Sequence, residues 1–153
     1  MKDSMTEEQY ITALKNNPHG VRNIPNPTEE MQLVCVEQNG MLLQYIKNPT
    51  DRVIETALAQ SPRAIQYVDN PSDELLISLV KQDWAVLEYI QHPSDEVVRI
   101  ALDQSGWAIR YITNPSEKLQ LRAVETQYDA LQYIANPSEQ VQMAAVKSNY
   151  LAL

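Results

Sequence analysis

An Asn-Pro or His-Pro step followed by Ser or Thr returns at Pro27, Pro49, Pro71, Pro93, Pro115 and Pro137. Every interval is 22 residues (49 − 27, 71 − 49 and so on), with no insertion. A fixed period of this size means stacked copies of one small unit, not one core drawing on distant segments. Carrying the register backwards places Thr6 in the Ser72 position and Ile24 in the Ile90 position. A degenerate first unit then covers residues 6–25, five full repeats cover 26–135, and a shortened unit covers 136–153.

The repeat Asn70–Gln91 shows what each copy builds. Ser72 is placed to cap a helix, and Asp73 and Glu74 fall in its electropositive first turn. Asn70 could cap instead, with Pro71 at the first helical position. The apolar residues Leu75, Leu76, Leu79 and Val80 then form one helical stripe. Asp83 and its counterparts Asn17, Asn39, Ser61, Ser105 and Asn149 are good N-caps, with Gln127 the exception. They announce a second helix, Trp84-Ala-Val-Leu-Glu-Tyr-Ile-Gln, which the next Asn-Pro ends. The spacing predicts an all-α chain, a short α-solenoid of about seven two-helix units counting both irregular ends. The first helix should hold about ten residues and the second about eight. Alanines recur in two columns, at Ala57, Ala101, Ala123 and Ala145, and at Ala64, Ala108, Ala130 and Ala152. Small side chains there let neighbouring helices approach closely. A leucine-rich repeat with a strand in each unit would show a recurring Leu-x-Leu alternation, and none recurs.

The unit pattern, Asn-Pro-Ser/Thr-Asp/Glu-x-Val/Leu followed by the Ala columns and a Tyr-Ile pair, resembles a family of short α-helical tandem repeats. That family occurs in bacterial and phage proteins and is catalogued only as a domain of unknown function. It is also similar in style to HEAT-like and leucine-rich-repeat-variant arrays. The resemblance implies a solenoid in a microbial or phage setting and assigns no chemistry. The first unit departs from it, with Asn23 in the Tyr position.

Composition narrows the function. The 153 residues carry 12 basic and 20 acidic side chains, a net charge of −8. Such a surface repels phosphate and disfavours direct nucleic-acid binding. It suits a basic partner, or solubility alone. The single cysteine, Cys35, cannot form an internal disulfide, and the charged start lacks the apolar stretch of a signal peptide. No apolar run spans a bilayer. A cytoplasmic protein is expected, without a membrane association.

No pattern of catalytic or metal-ligating residues is present. The two histidines, His19 and His92, lie apart, and no Gly-rich phosphate loop or Ser-His-Asp set can be picked out. Cys35 shares a column of small residues and reads as a buried, inert thiol. Neither an enzyme nor a cofactor is expected. The column Tyr45, Tyr67, Tyr89, Tyr111 and Tyr133 could be an aromatic ladder, but a residue copied into every unit serves what every unit needs, which is stacking. On the outward face of the first helices, Arg52–Glu55, Glu96–Arg99 and Arg99–Asp103 have ion-pair spacing, and Leu33, Ile77, Leu121 and Met143 interrupt the charge.

Specificity lives where the copies differ. The residues after the turn vary most, and Arg63, Trp84, Trp107 and Tyr128 fall there; Arg110 stands among Gln44, Gln66, Glu88 and Gln132. Large aromatics and arginine are typical interface anchors, which makes these five the candidate partner-binding residues. The last unit breaks off before its Tyr-Ile pair, leaving Tyr150, Leu151 and Leu153 as candidates for self-association, with a homodimer through that end as the simplest form. The expected function is a non-enzymatic protein-binding module or inhibitor working through an extended acidic surface. The alternatives are an acidic mimic of nucleic acid that occupies a DNA- or RNA-binding protein, and a structural self-assembly unit.

Overall fold

Each repeat begins with a hydroxyl that closes a helix start. In the computed structural model, which describes residues 5–152 and the side chains of residues 5–149, the hydroxyls of Thr6, Thr28, Thr50, Ser72, Ser94 and Ser116 each accept from the backbone N–H three residues on. These caps open α1 (Glu7–Asn16), α2 (Glu29–Gln38), α3 (Asp51–Gln60), α4 (Asp73–Gln82), α5 (Asp95–Gln104) and α6 (Glu117–Thr126). Ser72 is therefore the cap and Asn70 is not. Each of these six helices has the ten residues that the spacing predicts. α7 (Glu139–Ala152) follows the same start, with Ser138 accepting from Val141 N–H.

The second helix of each repeat differs from expectation. It is a six-residue 3₁₀ segment, not an α-helix of about eight: η1 (Pro18–Asn23), η2 (Gly40–Tyr45), η3 (Pro62–Tyr67), η4 (Trp84–Tyr89), η5 (Gly106–Tyr111) and η6 (Tyr128–Tyr133). Length matching supplies a reason. A ten-residue α-helix runs about 15 Å. Six residues at the 3₁₀ rise cover about 12 Å, whereas the α rise would cover only about 9 Å. The stretched form lets a short row keep pace with the longer one. Of the expected second caps, Asn39, Asp83 and Ser105 accept from the N–H two residues on, while Asn17 and Ser61 make no such bond; Gln127, the exception, makes none either.

The return to the next repeat runs through a left-handed residue. Asn48, Asn70, His92, Asn114 and Asn136, each directly before a motif proline, have φ of 50°, 48°, 51°, 52° and 52°. Proline denies its predecessor the right-handed helical region, and Asn is the non-glycine residue that best tolerates this alternative. His92 takes the same conformation in its place.

The chain falls into two compact units, Met1–Asn70 and Pro71–Leu153. In the first, α1, α2 and α3 pack in sequence, with η1, η2 and η3 beside them. Leu14, Val21, Met31, Cys35 and Leu42 form a core there, flanked by Tyr10, Ile11, Ile24 and Val34. In the second, α4 to α7 pack in sequence beside η4, η5 and η6. No strand occurs among the described residues. Both units are all-α stacks of two-helix repeats, and the alanine columns are buried in them as expected for Ala57, Ala64, Ala101, Ala108, Ala123, Ala130 and Ala145.

Neighbouring repeats are tied by a hydroxyl ladder. The cap hydroxyl that accepts from its own helix donates to the first-turn carboxylate of the preceding repeat: Thr28 to Glu7 (2.8 Å), Thr50 to Glu29 (3.2 Å), Ser94 to Asp73 (3.0 Å) and Ser138 to Glu117 (3.3 Å). Thr28, Thr50, Ser94 and Ser138 thus have two partners each, one local and one 21 residues away. Two further corrections concern the outward face. Leu33 is buried, not outward. The intrahelical pairs Arg52–Glu55, Glu96–Arg99 and Arg99–Asp103 do not form; instead Arg52 reaches Glu30 (3.6 Å) and Glu29 (4.0 Å), and Arg122 pairs with Asp103. All three ion pairs among the described residues run between repeats.

Candidate interaction site

The 3₁₀ row of the unit Pro71–Leu153 carries an aromatic and cationic ridge. Its spacing follows from helix type: at three residues per turn, residues three apart lie one above the other. Trp107 and Arg110 on η5 are such a pair. Elsewhere in the Arg110 column, Gln44, Gln66 and Gln132 fold back so that the side-chain N–H donates to the carbonyl three residues earlier (3.0, 3.1 and 3.1 Å). Arg110 instead lays its guanidinium against two rings, its Cζ lying 5.4 Å from the Tyr111 centroid and 5.0 Å from that of Tyr133 in the next repeat. Such contacts at exposed sites contribute about 0.5–1 kcal/mol each. Among the described residues no carboxylate comes within ion-pair distance of Arg110. Its charge is held in place and left unneutralised.

The ridge extends to both sides. Trp84 packs on Tyr111, with ring centroids 6.4 Å apart and planes inclined by 35°. Trp107 donates its indole N–H to Asp129 Oδ1 at 2.8 Å. Asp129 occupies the Trp107 column one repeat on. Trp107, Tyr128 and Tyr133 all remain substantially exposed, at 38%, 44% and 38%. Trp84, Tyr89 and Tyr111 are half-buried. The candidate residues Trp84, Trp107, Arg110 and Tyr128 therefore lie on η4, η5 and η6 of one unit, and the first three are linked through Tyr111 or by helix register. Arg63, the fifth candidate, lies exposed on η3 in the other unit.

Tyr111 also walls a half-open cavity of about 580 Å³ beside the loops that precede α5 and α6, with His92, Asp95, Asn114 and Ser116 on its rim. The hydroxyl ladder is interrupted here. Among the described residues Asp95 accepts no bond from Ser116, unlike Asp73 from Ser94 and Glu117 from Ser138. The Asp95 carboxylate is left facing open space next to the ridge.

Several groups read from sequence take no part. Cys35 is fully buried, and burial pushes its thiol up to about 11. Arg122, bonded to Asp103, holds that carboxyl below its ordinary range. Among the described residues no three His, Cys, Asp or Glu side chains gather in a metal-holding arrangement, and no helix is long and apolar enough to cross a membrane. The side chains of Tyr150 and Leu151 and all of Leu153 lie outside the described residues.

Sequence reasoning missed Asp129, Tyr111 and Tyr133 as parts of the ridge. The period held the signal. Residues one repeat apart are spatial neighbours, so Trp107 plus 22 gives Asp129, and Arg110 plus 23 gives Tyr133. No family model, no curated protein and no solved structure matches this chain.

Proposed function

We propose that the protein is a non-enzymatic binding module that holds a protein partner on the ridge formed by Trp84, Trp107, Arg110, Tyr111 and Tyr133. The observation that carries this reading is the posture of Arg110. Its guanidinium is pre-set between two tyrosine rings with its charge unpaired. A side chain already fixed in its working position loses little entropy on binding, which is how an interface residue becomes an energetic anchor. Exposed Trp107, Tyr128 and Tyr133 supply apolar area around it. The adjoining cavity with Asp95 accommodates a basic side chain of the same partner. An extended peptide with an acidic or carbonyl-rich stretch for Arg110 and a Lys or Arg for Asp95 fits both features.

The nucleic-acid mimic has weaker support. Its acids concentrate in the first turns of the α-helices, where capping and the helix dipole account for them. Arg52, Arg99 and Lys118 break the row. A phage or bacterial inhibitor that occupies another protein through the ridge is compatible with this reading.

The test is affinity capture with the purified chain, run in parallel with Trp107→Ala, Arg110→Ala and, as a control outside the ridge, Tyr45→Ala. A partner retained by the parent and by Tyr45→Ala but reduced at least tenfold by either ridge substitution supports the reading, since anchors of this kind are worth upwards of about 1.4 kcal/mol. Partners that bind all four proteins equally would refute it.

A further inference from the structure

The helix α7 presents a surface that its counterparts bury. Val146 belongs to the column of Val36, Leu58, Val80, Leu102 and Val124, all of them buried in the repeat core, Val124 completely. Val146 itself is 68% exposed, and Met143, three residues earlier on the same side, is 64% exposed. With Leu121 and Glu125 of α6 they line an open apolar groove of about 840 Å³, bordered by Glu139, Gln140 and Lys147. α7 is also longer than the six helices before it, at 14 residues against ten. Its length is about 21 Å.

The charges on this face are arranged with a symmetry of their own. Glu139, Met143 and Lys147 follow one another at intervals of four, so they share one side of the helix. Glu139 lies one turn before Met143, and Lys147 one turn after it. Place a second α7 antiparallel across this face with a two-fold axis through Met143. Met143 then meets its own copy, Glu139 faces Lys147 of the other chain, and Lys147 faces Glu139. Val146 falls over the aliphatic stem of Gln140, and Leu121 of α6 widens the apolar strip. The face is complementary to itself, which is the requirement of an isologous two-fold contact.

We propose that α7 is a homodimerisation surface, and that its occupant is the α7 of a second copy, paired antiparallel about Met143 with Glu139–Lys147 contacts at both ends. The inference is independent of the ridge, which uses other helices and other residues. One helix pair covers less than a standard interface, so the dimer is weak and its population rises with concentration in the micromolar range.

Sedimentation velocity on the full chain from low micromolar to submillimolar concentration tests this, with circular dichroism confirming the fold of each variant. The parent should show a concentration-dependent shift from monomer to dimer. Glu139→Lys and Lys147→Glu should each weaken the dimer at least tenfold, because each sets like charges opposite one another. The double variant, Glu139→Lys with Lys147→Glu, restores opposite charges across the axis and should regain most of the loss, a recovery that damage to the helix would not give. A parent that stays monomeric throughout would overturn the proposal. So would a dimer indifferent to both charge reversals, since its contact would lie elsewhere. Equal weakening in the single and double variants would also overturn it.

Discussion

At the scale of single residues, close approach between repeats decides most of what can be changed. Gly106 opens η5 where the backbone of α6 comes nearest. A Cβ there would lie 2.1 Å from the Ala123 carbonyl oxygen, and one at Gly40 would lie 2.2 Å from that of Ala57. Backbone cannot swing aside as a side chain can, so the repeats would have to part. Gly106→Ala should cost about 1–3 kcal/mol, the range for overpacking. Gly20→Ala should be near neutral, because its Cβ would meet only Leu14 Cδ2 at 3.5 Å. Thermal unfolding of the two variants separates these outcomes. Cys35 makes a second case. Its thiol is raised to about 11 by burial, against 9.0 for an exposed cysteine. The folded chain holds this proton more tightly than the unfolded one, so its contribution is intact below pH 9 and fades as the pH climbs towards about 11. Cys35→Ala should lose less stability than the parent over that interval, as urea midpoints measured at pH 8 and pH 10.5 will show, with the tyrosines common to both proteins.

Among elements, the α-helices were legible in the sequence and the 3₁₀ segments were not. A cap is short-range chemistry: Ser72 and the Leu75 N–H are three residues apart, and the hydroxyl announces itself. The choice between α and 3₁₀ depends on how far the second row must reach beside the first, which no local window contains. The breaks that follow α2 and α5 are also held from outside. Gln60 reaches back to the Gly40 N–H at 2.6 Å, and Gln127 accepts from the Ser105 hydroxyl at 2.6 Å. No such bond reaches Asn149 among the described residues, and α7 runs on through it. Asn149 was therefore a sound cap by type and unused in fact. The ladder gives an element-scale prediction. Ser94→Ala removes both the Val97 cap and the donation to Asp73, whereas Ser116→Ala removes only a cap, that of Leu119. Loss of a cap costs about 1 kcal/mol, and a further hydrogen bond at the surface adds about 0.5–1 kcal/mol. Denaturant melts should place Ser94→Ala below Ser116→Ala by that increment; equal midpoints would deny the ladder any energetic role.

For the whole molecule, what the sequence made plain was the beat, and what it concealed was the pairing that the beat creates. Trp107 and Arg110 stand out in the sequence as departures from their columns. Their partners Asp129, Tyr111 and Tyr133 do not, because their part in the ridge lies in contacts between columns one repeat apart or between adjacent columns. Within each unit a repeat contacts those beside it in sequence, a topology that folds without long loop closures. The hydroxyl ladder then has a consequence for how such a chain can grow or shrink. Where a rung forms, the capping Ser or Thr meets an acid 21 positions upstream while answering to its own helix, so a single codon added or deleted between the two would uncouple both at once. Whole modules can be spliced in or lost, and nothing smaller can: a 22-residue cassette inserted at Asn136, between Glu117 and Ser138, should be absorbed where a 21-residue one would not, which makes length itself a quantity selected in integer steps.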